Sequence, residues 1–376
     1  MRKNSSLISD VFSNPVLIGA VGSAALVPLT RRLARRAGLL TRPRPDRWGE
    51  KRTPLLGGLA IIAPVAVGSF LSNRALAPLL SGVWAVFGVG LWDDLCPLVP
   101  AQKVGGVAAG SILECLVSSR IRCCGDPFFY LDTLGRLLVQ VGAANAFNLV
   151  DNMDGLGAGI AALSSAAAAV VLLDHGLDKP LLERREESCS AVGQEPGIAA
   201  ALCGSSLGFL LWNRPPALSF MGDAGSLAAG YLLGDLAWEA ASTAYPWRRR
   251  GAAPLKPMRV IIARTALIAL LLAVPIIDSV LLFVRRWAGR RPLFKGNTDH
   301  LSHVLARRGL AEPLPVLLLQ AAQCLACGAA VLVVDRRARQ QHRLSLRPLK
   351  RHLPVLLVGL AIGVLMLSGR MGTRGD

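Results

Sequence analysis

The sequence predicts an all-α, polytopic membrane protein. Three observations carry that reading. Of 376 residues, 52% are hydrophobic and only 18% charged, and the mean hydropathy is +0.46. The apolar residues fall in runs approaching the roughly 20 residues a membrane-crossing helix needs, too long for the strands of a soluble α/β protein. Proline and glycine mark many of the run ends, for example Pro54, Pro100, Pro196, Pro215-Pro216, Pro313 and Pro354, as helix breakers should.

Taken in order, eleven spans are predicted, at about 15–30, 55–72, 78–91, 104–118, 136–150, 155–173, 197–212, 224–240, 258–286, 313–334 and 353–368. They form one membrane domain over 1–376, with its motifs between about 51 and 309. Met1-Arg-Lys precedes the first run, and arginines rather than small cleavage-site residues follow it, so no cleavable signal is predicted. The net charge of +18 suits basic flanks facing lipid headgroups and attraction for an anionic substrate. The basic residues are scattered between apolar spans, which excludes a nucleic-acid face. Of the eight cysteines, Cys324 and Cys327 sit inside an apolar run without a second pair, as packing residues do. Cys123-Cys124 lies in a loop as free thiols.

Eleven spans make connections alternate between two faces. The segments 31–54, 92–103, 150–155, 213–223 and 287–312 then share one side, and nearly every unusual polar cluster falls there. That points to one composite site. Basic residues from Arg31 to Arg52 and at 285–291 favour this face in the cytoplasm by the positive-inside rule, but 335–352 on the other side is basic too, so charge alone does not settle the orientation.

The central stretch is Asn145-Ala-Phe-Asn-Leu-Val-Asp-Asn-Met-Asp-Gly-Leu156. Asn145, Asn148, Asp151 and Asp154 recur every third residue, so neighbours share a helical face, and the helix is expected to break near Asp151. Gly90-Leu-Trp-Asp-Asp-Leu95 ends a span with Asp93 and Asp94, which point about 100° apart and need different partners. Two acids at a helix C-terminus oppose the macrodipole, which favours a catalytic use. Phe220-Met-Gly-Asp-Ala-Gly-Ser226 flanks Asp223 with glycines. They allow close backbone approach to a phosphate or hydrated metal, or Asp223 is a helix cap. Asn213, before Pro215-Pro216, can hydrogen-bond a base or shape the turn. His300 and His303 face together at i, i+3 and can bind phosphate, with Asp299 orienting one ring. Lys51, Arg52 and Thr53 enter the second span on the same face, where they can meet an anion, and Gly57-Gly58 reads as a helix-packing site. Clustered carboxylates and amides suit Mg²⁺ or Mn²⁺, which bind few protein ligands plus substrate phosphates. The residues alone therefore describe a membrane enzyme of phosphate esters.

Thr53-Pro-x-x-Gly-Gly58, Asp93-Asp94, Asn145–Leu156, Phe220–Ser226 and the His loop occur in an order that resembles the polyprenyl-phosphate N-acetylhexosamine-1-phosphate transferases. The resemblance implies ten or eleven helices in a bacterial inner membrane, with a cytoplasmic site. It implies transfer of a sugar-1-phosphate from a UDP-sugar to undecaprenyl phosphate with release of UMP, and a homodimer as one assembly. Carried over by position, Asp223 would hold Mg²⁺ with Asp151 beside it. Asp151 and Asp154 would flank the metal and uridine, next to Asn148. Asn213 and Phe220 would contact the nucleotide, Asp93, beside Asp94, the lipid phosphate, and His300 and His303 the diphosphate. Asp-His-Leu-Ser-His replaces the run of histidines usual in the muropeptide branch, and Asp-Asn-Met-Asp-Gly replaces the commoner Asp-Gly-x-Asp-Gly. These departures place the chain nearer the sugar-only branch than phospho-N-acetylmuramoyl-pentapeptide transferases. The rival from another class is a transporter, which would put acids at mid-span and on both faces.

Overall fold

The structure, a computed structural model, describes residues 14–41, 52–72, 77–118, 127–176, 196–247, 256–292, 299–340 and 348–368. Lys51 and Cys123-Cys124 lie outside these. The described helices are α1 (Pro15–Arg36), α2 (Gly57–Ser72), α3 (Ala77–Leu95), α4 (Pro100–Val117), α5 (Pro127–Val150), α6 (Leu156–Gly176), α7 (Pro196–Asn213), α8 (Gly222–Ala244), α9 (Pro257–Leu271), α10 (Ala273–Ala288), α11 (Leu301–Arg307), α12 (Leu314–Gln340) and α13 (Pro348–Ser368). By length and composition, four described helices can cross a bilayer: Pro15–Arg36, Leu156–Leu173, Pro196–Asn213 and Leu314–Arg337. The protein is all-α and membrane-embedded, and ten of the predicted spans each coincide with one helix.

α6 and α8 form the centre. Residues 155–172 and 224–241 are buried without a break. Lipid gives helices no hydrophobic reason to associate, so they approach through small side chains, and α6 is largely Ala, Gly and Ser. The same device joins α2 to α8. A Cβ on Gly58 would overlap the Cα of Gly225, and one on Gly90 of α3 would overlap the backbone of Asp223. Three helices thus meet backbone to backbone where the motifs lie.

Two predicted spans need correction. The fifth begins at Pro127 rather than 136, because Asp132 and Arg136 are paired inside the protein and need no water. Asp132 meets Arg264 at 2.5 Å and the Trp247 indole N–H at 3.1 Å. Arg136 bonds Glu114 of α4 at 2.9 Å, Glu239 of α8 at 3.4 Å, and Asp235. Gln140 donates to Glu114 and Asp235, each at 2.9 Å, and the Tyr231 hydroxyl donates to Glu114. Eleven or twelve residues separate Glu114 from Lys103, Arg136 from Asn148 and Asp235 from Asp223. At 1.5 Å per residue this cluster lies about 17 Å from all three, locking α4, α5 and α8 in one axial register.

The ninth span, 258–286, is not one helix. α9 and α10 meet at a bend of 91°, which the unbroken hydropathy of the sequence hides. A break at membrane depth must re-satisfy its backbone, and Gln323 of α12 does so on both sides. Its Oε1 accepts from the Val274 N–H at 2.9 Å, and its Nε2 donates to the Leu271 carbonyl at 2.8 Å. α10 leaves Ile277, Val280, Val284 and Trp287 exposed, with Arg285 and Arg286 in its last turn, the pattern of an interfacial helix.

Gln323→Leu keeps the volume but strands both backbone groups. It is expected to lower stability by roughly 2 kcal/mol or more, each unpaired group costing about 1–3 kcal/mol. Thermal unfolding in detergent reads this out, and an unchanged midpoint would show that the bend does not depend on the clamp.

Candidate active site

The site is built on the start of α8. Asp94, at the end of α3, accepts the backbone N–H groups of Asp223 at 2.9 Å and Ala224 at 3.1 Å. These are orphan donors at the positive end of α8, and Gly222 with φ 73 makes the turn into the helix. So Asp94 fixes the backbone from which Asp223 projects, with both its oxygens engaged. Asp223 Oδ1 accepts from Asn148 Nδ2 at 2.8 Å, and Asn148 Nδ2 also reaches Ser226 Oγ at 2.7 Å. Asp223 Oδ2 pairs with Lys103 Nζ of α4 at 3.0 Å, and Lys103 also pairs with Asp93. The other oxygen of Asp93 accepts the Leu98 N–H at 2.6 Å. One ammonium therefore bridges two carboxylates from different helices. The Asp223 side chain is 37% exposed, against 7% for Asp93, so Asp223 is the more open donor.

α5 ends at Val150, where the three-residue period predicts a break. Asp151 then lies over the start of α6, where a Cβ on Gly157 would overlap its carboxylate. Asp154 Oδ2 accepts the Ala217 N–H at 2.8 Å. Burial pushes its carboxyl up to about 6, aided by the nearby Glu312 and opposed by the Ala217 N–H. Asn145 is not part of the polar face, since its amide donates to the Val141 carbonyl of its own helix at 2.8 Å.

Two of the predicted site residues also bond within the protein. Asn213 is 3% exposed. Its oxygen accepts the Gly155 N–H at 3.1 Å and its nitrogen donates to the Ser219 carbonyl at 3.0 Å. Both ends of the amide tie the Asp154 loop to the Phe220 loop, so Asn213 holds the wall of the site. Thr53 is buried too. Its N–H donates to Thr41 Oγ1 at 2.8 Å and its carbonyl accepts the Thr41 N–H at 2.9 Å. The entry loop is then stitched to the next motif, with the Phe220 N–H on the Pro54 carbonyl at 2.9 Å and the Gly57 N–H on the Phe220 carbonyl at 3.0 Å. Phe220 is half-buried at this seam.

The histidines join the same face. Ser302 Oγ donates to Asn152 Oδ1 at 2.6 Å, fastening α11 to the Asp151–Asp154 loop. The rings of His300 and His303 stand 6.4 Å apart. Asp299 does not orient a ring as predicted. Its carboxylate faces Arg291 at 3.3 Å and Arg286 at 3.7 Å, and Asp278 of α10 takes its place, 2.8 Å from His300 Nδ1. Sequence reasoning missed Asp278 and Lys103. The available signals were a lone carboxylate in an apolar run and a lone lysine at a span entry.

Among the described residues no three His, Cys, Asp or Glu side chains form a metal-holding group. One open carboxylate, a second across a lysine and an amide still fit a hard divalent ion that takes most of its shell from substrate oxygens and water.

Residues 76–241 match the profile described as glycosyl transferase family 4. A decaprenyl-phosphate N-acetylglucosaminephosphotransferase of Mycolicibacterium smegmatis is 30% identical over 316 residues, covering 77% of this chain and 74% of that protein. The chain belongs to glycosyl transferase family 4. It is a transferase of the glycosyl-1-phosphate type and an integral membrane protein. A probable undecaprenyl-phosphate N-acetylglucosaminyl 1-phosphate transferase of Bacillus subtilis is 26% identical, covering 78% of this chain and 77% of its own. A phospho-N-acetylmuramoyl-pentapeptide-transferase of Aquifex aeolicus is 31% identical, covering 70% and 74%.

For Asp154 the folded value of about 6 lies above the unfolded value of about 3.9. The folded protein therefore holds the proton more tightly, and this residue's contribution to stability falls as pH rises from about 4 through 6. Asp154→Asn keeps the acceptor for Ala217 and loses that slope. Melting midpoints in detergent from pH 4.5 to 8 should show the variant gaining on the parent up to about pH 6.5 and holding constant above it. A difference independent of pH would exclude a raised Asp154.

Proposed function

We propose that this protein transfers N-acetylhexosamine-1-phosphate from a UDP-sugar to undecaprenyl phosphate, releasing UMP. The observation that carries it is Lys103 between Asp93 and Asp223, at helix ends that also present Asn148 and the His300 helix. A phosphate monoester has a second pKa of about 6 and is mostly dianionic at pH 7, so the acceptor is already a nucleophile. A lipid phosphate oxygen attacks the β-phosphorus of the donor. The bond from that phosphorus to the bridging oxygen breaks, and UMP leaves with the bonding electrons.

In this reading Lys103 meets the diphosphate as it enters and relaxes its hold on the two acids. Asp93 places the acceptor, while Asn148 and Asp94 keep Asp223 aimed at the donor. Mg²⁺, with Mn²⁺ as a substitute, would be held by Asp223 with Asp151 or Asp93 at its edge; it supplies charge neutralisation for the leaving group. The cytoplasmic reading is supported by α1, whose last turn carries Arg35 and Arg36. Leu39 and Thr41 just beyond it bond Leu55 and Thr53 at the site, so the first basic cluster and the site share a face. That face is the cytoplasmic side of a bacterial inner membrane.

The B. subtilis and M. smegmatis relatives, by their names, act on N-acetylglucosamine substrates, which supports the sugar-only donor, UDP-GlcNAc first. The A. aeolicus name supports the muropeptide donor as a second reading. Membranes containing the protein are incubated with undecaprenyl phosphate and radiolabelled UDP-HexNAc donors. A lipid product is expected that disappears with EDTA and returns with Mg²⁺. Asp223→Asn and Lys103→Met should each reduce it on the order of 10²-fold, the usual effect of removing one electrostatic contact to a developing charge. Product only from UDP-MurNAc-pentapeptide would select the second reading, and product from no donor would overturn the enzymatic one.

A further inference from the structure

Asp278 is a carboxylate within the apolar stretch Ala273–Phe283 of α10 and is 1% exposed. Neither solvent nor a lysine accounts for it. Its Oδ2 lies 2.8 Å from His300 Nδ1, and its Oδ1 accepts the Leu301 backbone N–H at 2.7 Å. Both oxygens are therefore directed at the entry of α11. The 91° bend held by Gln323 turns α10 so that Asp278 reaches this place.

The chemistry of this contact is one-sided. A carboxylate accepts hydrogen bonds and does not donate them, so the imidazole carries its proton on Nδ1. That leaves Nε2 as the nitrogen available to substrate. Among the described residues no second acid is paired with the ring. Asp299 is held by Arg286 and Arg291, and its carbonyl accepts from Arg285 at 3.1 Å. Ser302 pins the same turn to Asn152, so ring plane, tautomer and height above the acidic loop are all set.

We propose that Asp278 is a positioning residue, which fixes the tautomer and orientation of His300 so that Nε2 accepts a hydrogen bond from a hydroxyl of the UDP-sugar donor. The inference rests on the transferase reading and deepens it. Its test is spectroscopic first. In protein labelled with ¹⁵N-histidine, the His300 side-chain signals, assigned by their loss in His300→Asn, should show a protonated Nδ1 and an unprotonated Nε2. In Asp278→Asn the amide can donate to the ring, so the proton should move to Nε2. kcat should fall about tenfold or more, because a tautomer switch removes the aimed nitrogen, with a smaller change in KM for the UDP-sugar. Asp278→Glu should recover part of kcat and the parental tautomer.

A second variant decides the matter if Asp278→Asn does not fold. His300→Asn places an amide nitrogen near Nδ1, keeping the bond to Asp278 and the melting midpoint while losing turnover. His300→Ala should lose both. An unchanged tautomer in Asp278→Asn, or a His300→Asn protein as destabilised as His300→Ala, would overturn the assignment of Asp278. Full turnover in His300→Ala would instead remove the substrate role of His300 itself.

Discussion

The charged groups around the start of α8 are buried or half-buried, so each is answered by a partner from another helix. The end of α3 shows how. Two acids at the negative end of a helix dipole are unfavourable in isolation. Asp94 is answered by the positive end of α8, whose first amides it accepts, and Asp93 by Lys103 of α4. Charge-assisted hydrogen bonds of this kind contribute roughly 1.5–3 kcal/mol each. Removing any partner would leave a buried charge uncompensated. Asp223 inherits its position from that arrangement. The glycines at 58, 90 and 225 let the backbones come close enough for it to exist.

The same rule operates deeper in the bundle. Arg136 gathers Glu114, Asp235 and Glu239 around one guanidinium, whose planar fork suits several carboxylates at once. An ion cluster at this depth is a poor source of stability compared with well-packed apolar residues. Its value is specificity of register. α4, α5 and α8 could slide as smooth apolar rods, and a slip of one turn would carry Lys103, Asn148 and Asp223 past one another by about 5.4 Å.

Much of this was readable in the sequence. Hydropathy located ten of the helices because each is a single apolar run, and the three-residue period at Asn148 to Asp154 placed the end of α5. The motifs that parity assigned to one face meet in the structure around the start of α8. What was hidden has a common cause. The 91° bend leaves no mark in composition, since the residue that stabilises it, Gln323, comes from α12, about fifty positions later. Lys103 and Asp278 acquire meaning only from acids and a histidine brought to them by the fold. Asn213 and Thr53 belong to conspicuous motifs, but polar side chains beside a site serve the loops as often as the ligand. Only their hydrogen-bond partners distinguish the two.

The cluster around Arg136 also bears on how the chain enters the membrane. A lone arginine at mid-bilayer costs about 2.5–3.5 kcal/mol on translocation-based scales. α4 and α5 are consecutive, so Glu114 is at hand when Arg136 arrives, and the two can be accommodated as a hairpin. Asp235 and Glu239 follow on α8, which begins about seventy residues after α5 ends. They enter lipid beside an arginine already waiting for them. Arg136 and Glu114 thus come together early in synthesis, and α8 brings the remaining two acids of the cluster last.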